Sequence, residues 1–386
     1  MSVARYSWPL LTLIALAAFV AWQGILPYPD PHSVLRDHYR YVAMAVQPFG
    51  SADPLAHQPP FCWRILTPLL VHFLPVPILT GFWLLSVVGI AGATLGLMWF
   101  LRGLGLPAGA AVAGGFAFVC LTPAVGFTLY NDMLADPLAF ALLALALGCV
   151  VHRRGFWLVL SLVVMAFDKE TAIFGAAFAI IWSWQHRDRA LLRWSLASLV
   201  GVLSVVVGLR LLIPGNQPHS LLQMLVYWAV VSVQTGTLFF RLTQATIGAW
   251  GILLPLAVYA LGFWRTHAHW ALLALASAQV FVSVDVERVV IYAFPVVIAA
   301  ACFGVEALAD RWRVSRWLLW LPVLALELSW YYSYAPNYFF TIVSLHDAFV
   351  FAFALVLLVE GILFAALWRR RKQRVGLRAE SRAGPG

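Results

Sequence analysis

The stretch PILTGFWLLSVVGIAGATLGLMWFL, from Pro77 to Leu101, decides the fold class, because it continues for about seven helical turns without a charged side chain. A helix needs roughly 20 apolar residues to cross the hydrocarbon core of a bilayer. Similar segments recur along the chain, so the sequence predicts an all-α, polytopic transmembrane helix bundle with about 12 hydrophobic segments and 10–12 spans. The candidate segments are 7–28, 77–101, 110–129, 133–151, 156–167, 170–185, 194–213, 246–264, 270–284, 288–306, 317–333 and 347–368.

The composition of the whole chain also indicates lipid as its solvent. Of 386 residues, 63% are hydrophobic and 11% are charged, whereas a soluble domain carries about 25% charged residues. The 18 Trp and 12 Tyr residues suit the two interfaces of a membrane. The net charge of +9 comes from arginines in short loops and in the tail, so we expect anionic lipids at the basic tail and no nucleic acid.

The positive-inside rule selects a topology for these segments. With both termini in the cytoplasm and twelve crossings, 18 of the 25 Lys and Arg residues lie on the cytoplasmic side. Segment 156–185 could cross once, with Asp168-Lys169-Glu170 in its middle, or twice, as 156–167 and 170–185. Two crossings obey the rule better, because a single crossing places the arginines of 187–193 outside.

This topology predicts one membrane domain over 1–368 and a disordered, basic cytoplasmic tail over 369–386. External loops 29–76 and 214–245 are long enough to hold short interfacial helices, and the apolar part 221–240 either spans or lies at the interface. Most acidic residues fall on the external side, although they were not used to choose the topology. We therefore expect a polar external cavity lined by Asp37, Asp53, Asp132, Asp136, Asp168, Glu170, Asp285, Glu287 and Asp347.

The order of several short motifs resembles the GT-C class of integral membrane glycosyltransferases over roughly residues 1–300. The motifs are Asp37 after the first span, Arg64-Ile65-Leu66-Thr67-Pro68, Asp136-Pro137 opening a span, Lys169-Glu170 at a span junction, and Glu287-Arg288 before Tyr292-Ala293-Phe294-Pro295. The resemblance implies a polyprenyl-phosphate-linked sugar donor, inversion at the anomeric carbon and an essential acid in the first external loop. The chain departs from the class in lacking Asp-x-Asp there, since His38 and Tyr39 follow Asp37.

Transfer from a lipid phosphate needs a base for the acceptor hydroxyl and positive charge for the departing phosphate. Asp37 is the candidate catalytic base, while a divalent cation, Mg or Mn, is an optional cofactor. The candidates for binding phosphate are Arg64, Lys169, Arg288 and His57. The candidates for orienting the acceptor or a metal are Asp132, Asp136, Glu170 and Glu287. Each residue also has a simpler interpretation as a helix cap, a snorkelling anchor or half of an ion pair.

The sequence thus predicts a membrane glycosyltransferase that acts on the non-cytoplasmic face. The acceptor would be a cell-surface glycan, a glycolipid or a protein. A multi-span transporter or lipid flippase, and a polysaccharide polymerase or ligase-type transferase, stay open as alternatives, although a transporter should show paired halves with broken helices at mid-depth. The ratio of 23 Arg to two Lys suggests a GC-rich bacterial genome, and so a bacterial inner membrane with the active site in the periplasm.

Overall fold

The structure is a computed structural model, and it describes residues 38–48, 53–130, 133–213, 215, 226–227, 230–231, 234, 241–242, 244–260, 262–281 and 286–339. Within these ranges the chain is helical and contains no strand, which confirms the all-α class. The predicted spans 7–28 and 347–368, the tail 369–386 and most of loop 214–245 lie outside the described residues.

The described α-helices follow one another with short connections. They are α1 (His38–Val46), α2 (Leu66–Phe73), α3 (Ile78–Gly103), α4 (Ala108–Cys120), α5 (Phe127–Tyr130), α6 (Asp136–Val151), α7 (Gly155–Ala166), α8 (Ala172–Gln185), α9 (Arg189–Leu212), α10 (Leu253–Tyr259), α11 (His267–Ala278), α12 (Val286–Val290), α13 (Phe294–Trp312) and α14 (Arg316–Phe339). Short 3₁₀ turns at Pro54–His57, Phe61–Trp63, Phe263–Arg265, Gln279–Phe281 and Ile291–Ala293, and π-helical turns at Thr122–Gly126 and Gln244–Gly248, connect them.

Three described helices are long and apolar enough to cross a bilayer: α3, α9 and the segment Arg288–Trp312, which contains α13. Helices α4, α6, α7 and α8 are apolar but shorter. A membrane protein is therefore supported, while the count of twelve segments stays a prediction. The described part of loop 29–76 contains α1 and α2, and their position at the membrane surface also stays a prediction.

Helices α3 and α6 pack closely and run in the same direction. A Cβ atom on Gly89 would lie 2.5 Å from the backbone carbonyl carbon of Pro137, and one on Gly96 would lie 3.0 Å from the Cβ of Ala144. Both contacts join residues 48 positions apart, which fixes the parallel alignment. Small residues at such contacts let helix backbones approach each other, as they do in membrane bundles. This packing holds the first residue of α6, Asp136, beside the middle of α3, near Gly89.

The segment 156–185 is an antiparallel pair of helices, because α7 and α8 fold back on each other. Gly175 packs against Leu162, and the two residues lie three and four positions from the helix ends that flank the turn. Asp168, Lys169 and Glu170 form the tip of this hairpin instead of the middle of one long helix. The structure therefore favours the split of this segment over one continuous span.

The alternating helix directions give the bundle two distinct ends. At one end α3, α6, α8 and α13 finish; we call it the arginine rim, because ten described arginines lie there. They are Arg102, Arg153, Arg154, Arg187, Arg189, Arg193, Arg265, Arg311, Arg313 and Arg316. These are the described arginines that the sequence assigns to the cytoplasm. The hairpin tip and the start of α6 lie at the opposite end.

Candidate functional site

Asp136 is the centre of a buried polar contact at the end opposite the arginine rim. Its Oδ1 accepts a hydrogen bond from the Tyr292 hydroxyl at 2.7 Å and another from the ammonium of Lys169. The Nε of Arg288 lies 3.7 Å from its Oδ2. The side chain of Asp136 is 3% exposed, so one buried carboxylate connects the hairpin tip to the segment before α13. It does not act as the helix cap that the Asp-Pro sequence suggested as its simpler interpretation.

Lys169 sits in the turn between α7 and α8 and is almost completely buried. Its ammonium lies 5.0 Å from the centre of the Tyr292 ring. Burial, together with the nearby charges of Arg64 and Arg288, lowers the pKa of Lys169 to about 8, although Asp136 opposes the change. A cation in such a position needs a carboxylate beside it, because an isolated buried charge is very costly.

Arg64 and Glu170 form a second ion pair next to Lys169. The Nε and Nη2 atoms of Arg64 both lie 3.2 Å from the Oε2 of Glu170, and its Nη1 donates to the Tyr41 hydroxyl at 3.3 Å. The side chains are 13% and 27% exposed, so this pair lies nearer to solvent than Asp136 does.

Asp168 fastens α2 to the hairpin tip. Its Oδ1 accepts hydrogen bonds from the backbone N–H of Thr67 at 3.1 Å and from the Thr67 hydroxyl at 2.7 Å. The backbone N–H of Leu66 donates to the carbonyl of Phe167 at 3.0 Å. Burial raises the pKa of Asp168 to about 7, although the hydrogen bonds from Thr67 oppose the rise. These three bonds hold the segment after Arg64 in place and so set Arg64 beside Glu170.

An aromatic core positions Tyr292 from the other side. The Tyr292 ring lies 4.9 Å from the ring of Phe140 in α6, and Phe140 contacts Phe118 and Phe294. All four rings are buried. Because the core fixes the ring, the hydroxyl of Tyr292 has one direction available, toward Asp136.

The structure therefore brings together five residues that the sequence singled out: Arg64, Asp136, Lys169, Glu170 and Arg288. We call these five, together with Asp168, the ionic cluster. Sequence reasoning missed the neutral partners Tyr41, Thr67 and Tyr292 as site residues. Tyr292 follows Arg288 by four residues, a helical spacing that was available as a signal.

The other predicted site residues are not placed in this cluster. Asp37 and Asp132 lie outside the described residues, so the assignment of a catalytic base stays a prediction. His57 ends the 3₁₀ turn Pro54–His57 in the same external segment as Arg64. Glu287 lies in α12 beside Arg288, and only its backbone is described. In the described ranges no three His, Cys, Asp or Glu residues are grouped for a metal ion, and the metal requirement stays open.

No protein-family model matches the sequence, and no curated protein matches it significantly. The resemblance to the GT-C class thus stays a prediction from motifs.

Proposed function

We propose that the protein is a membrane glycosyltransferase and that its ionic cluster binds the phosphate of a polyprenyl-phosphate-linked sugar. The observation that supports this proposal is the meeting of three cations from distant parts of the chain, Arg64, Lys169 and Arg288, in one largely buried site. Burying ion pairs in place of apolar side chains seldom increases stability. A cluster of this kind in a membrane protein is therefore a lead to function.

The cations suit a departing phosphate in different ways. Arg64 and Arg288 offer planar forks that match phosphate oxygens, and Lys169 offers a compact charge. Asp136 holds Lys169 and Arg288 in fixed positions before any ligand arrives, so little reorganisation is needed when negative charge develops. Arg64 is nearer to solvent, and an incoming phosphate can replace Glu170 as its partner.

The proposed reaction is a single displacement at the sugar. The acceptor hydroxyl oxygen forms a bond to the anomeric carbon, and the bond from that carbon to the phosphate oxygen breaks. The electron pair stays on the phosphate, which the cations stabilise, and the hydroxyl proton passes to a base, for which Asp37 is the candidate. The acceptor class stays a cell-surface glycan, a glycolipid or a protein.

The proposed orientation follows from the two ends of the bundle. If the arginine rim is cytoplasmic, as the positive-inside rule requires, the ionic cluster faces the opposite side, the periplasm of a bacterial inner membrane. A polymerase or ligase-type transferase would share the phosphate chemistry and differ in its donor.

The test is transfer from a radiolabelled donor by the full-length protein in vesicles. We expect label to leave a polyprenyl-phosphate hexose and to appear in product formed with an extract of membrane acceptors. Arg288→Gln should lower the rate roughly tenfold to hundredfold, because a charge-assisted contact is lost. The matched control is Arg210→Gln, an exposed arginine that stacks on Trp63 outside the cluster. Release only from polyprenyl-diphosphate donors would favour the ligase-type alternative, and equal rates in both variants would contradict the proposed site.

A further inference from the structure

Four helices end at the arginine rim with the same backbone cap. In each case the N–H of the second or third residue beyond the helix bonds to a carbonyl five positions earlier, and the residue before it has positive φ, as in a Schellman motif. The bonds run from Leu106 to Leu101 (3.2 Å), Arg154 to Cys149 (2.8 Å), Asp188 to Ser183 (2.9 Å) and Val314 to Ala309 (3.1 Å). The repeated cap turns the chain at the same level of the bundle each time.

The residues at the left-handed positions of these caps differ in an informative way. The first is Gly105, with φ of 90°, and the other three are Arg153, Arg187 and Arg313, with φ of 56°, 55° and 53°. Glycine is the usual residue at this position, because a Cβ atom makes left-handed backbone unfavourable. All three arginines are exposed. Backbone preference therefore does not explain why arginine occupies these three positions, whereas a role for the arginine charge does.

Exposed aromatic side chains surround the rim on six helices. They lie in the first two turns or the last turn of α7, α8, α9, α11, α13 and α14, and are 37% to 66% exposed: Phe156, Trp157, Trp184, Trp194, Trp270, Trp312 and Trp317. Tryptophan gathers at the level of lipid headgroups, because its ring is apolar while its N–H needs a polar partner. This belt places the arginine rim at the depth of lipid phosphates.

The charge at the rim is strongly unbalanced in the described residues. Ten arginines share the rim with three acids, Asp188, Glu306 and Asp310. Asp188 pairs with Arg153 at 3.3 Å and Glu306 with Arg316 at 3.1 Å. Asp188 also caps α9 through the N–H of Leu191, so its charge is already engaged. An anionic surface is the complement of this rim.

We propose that the arginine rim is a binding surface for anionic phospholipid headgroups and that Arg153, Arg187 and Arg313 are its main contacts. Each guanidinium can grip a phosphate with two N–H groups, and the caps fix where each arginine leaves its helix. The occupant is a lipid leaflet, since the aromatic belt surrounds the bundle as a membrane interface does. This inference does not depend on the proposed function, because it uses none of the ionic cluster.

The test compares retention of phosphatidylglycerol and phosphatidylcholine, with identical acyl chains, by the full-length protein in native mass spectrometry. We expect the wild type to retain phosphatidylglycerol preferentially. The triple variant Arg153→Gln, Arg187→Gln and Arg313→Gln should lose about tenfold of that preference or more, and the matching triple lysine variant should keep most of it. Arg210→Gln, at the opposite end, is the control and should behave as the wild type does.

A triple glycine variant at the same positions separates charge from folding. It should lose the phosphatidylglycerol preference as the glutamine variant does, yet unfold at a higher temperature than the glutamine variant in phosphatidylcholine, because glycine suits the left-handed caps. No preference in the wild type, or an unchanged preference in the glutamine variant, would overturn the proposal. A preference that survives in the glutamine and glycine variants, but is lost when an acidic peptide binds, would indicate a protein partner and would also overturn the proposal.

Discussion

The two ends of the bundle differ in the burial and the pairing of their basic side chains. In the ionic cluster the side chains of Lys169 and Arg64 are 4% and 13% exposed, and each is paired with a carboxylate. At the arginine rim the side chain of Arg153 is 75% exposed, and arginines outnumber acids. Water or lipid headgroups can solvate the charges of the rim, whereas the buried charges of the cluster have to be stabilised by one another. Buried, mutually neutralised charge marks a site, and exposed, unbalanced charge marks a surface.

The largest expected effect separates these environments directly. Asp136→Asn removes the carboxylate charge that Lys169 and Arg288 both contact in a buried site, so we expect a loss of about 3–5 kcal/mol in the free energy of unfolding. The matched change at the rim is Asp310→Asn, where the aspartate is exposed and the loss should be about 0.5 kcal/mol or less. Denaturant unfolding in detergent measures both variants. Similar losses at the two positions would remove the distinction between the ends.

The stability of the protein should depend on pH through Asp168 in the ionic cluster. Its pKa is raised by burial from 3.8 to about 7, so its contribution to stability is fully present below pH 4 and is lost as the pH rises through about 7. The free energy of unfolding should therefore fall by about 1 kcal/mol per pH unit between pH 5 and pH 7. Lys169, with its pKa lowered to about 8, acts in a separate window, where stability recovers as the pH rises above 8.

Asp168→Asn isolates this dependence, because asparagine can still accept from Thr67 but does not titrate. The variant should show a flat stability between pH 5 and pH 7, measured by denaturant unfolding at fixed ionic strength. If the free energy of unfolding changed with pH equally in the wild type and the variant, groups other than Asp168 would cause the pH dependence.

A smaller effect is expected where α2 joins the hairpin. Thr67→Val removes the hydroxyl that donates to Asp168 and should lower the free energy of unfolding by about 1–3 kcal/mol. Thr67→Ser keeps the hydroxyl and serves as the control. Because this contact positions Arg64, protection of Arg64 from arginine-specific reagents should fall in the valine variant only. Unchanged protection would show that other contacts hold Arg64.

The smallest effect lies at the rim and has the opposite sign. Arg187→Gly should raise the free energy of unfolding in zwitterionic detergent by about 0.5–1 kcal/mol, since glycine suits the left-handed backbone there. The reverse change at the equivalent cap, Gly105→Arg, should lower it by about 1 kcal/mol. A loss of stability in Arg187→Gly would show that this arginine also supports the fold.

The sequence predicted the charged residues of the cluster better than their partners. Charged side chains beside apolar runs are conspicuous, so Arg64, Lys169 and Arg288 could be selected without a structure. The sequence could not predict which acid pairs with which cation, because Lys169 bonds to Asp136, 33 positions away, and not to the adjacent Glu170. Thr67 is neutral and common in apolar segments, so nothing in the sequence marked it as the partner of a buried carboxylate. Tyr292 is neutral too, and its spacing of four residues from Arg288 was the signal that the sequence offered for it.

The fold, like the cluster, was predictable from the sequence only in part. The run of apolar residues from Pro77 to Leu101 predicted the helix that the structure has as α3, and the positive-inside rule grouped ten arginines that do lie at one end. The turn at Asp168–Glu170 was an open choice, because periodicity alone does not distinguish a helix of 30 residues from a tight hairpin. Packing of Gly175 on Leu162 decides it, and that contact depends on tertiary structure.

The most direct test of the central claim is the affinity of the full-length protein for a polyprenyl phosphate, compared with the uncharged polyprenol of equal length. We expect the wild type and Arg210→Gln to prefer the phosphate by about tenfold or more, and Arg64→Gln to lose this preference. Equal affinity of the wild type for phosphate and alcohol, or an unchanged preference in Arg64→Gln, would contradict the claim that the ionic cluster is a phosphate site.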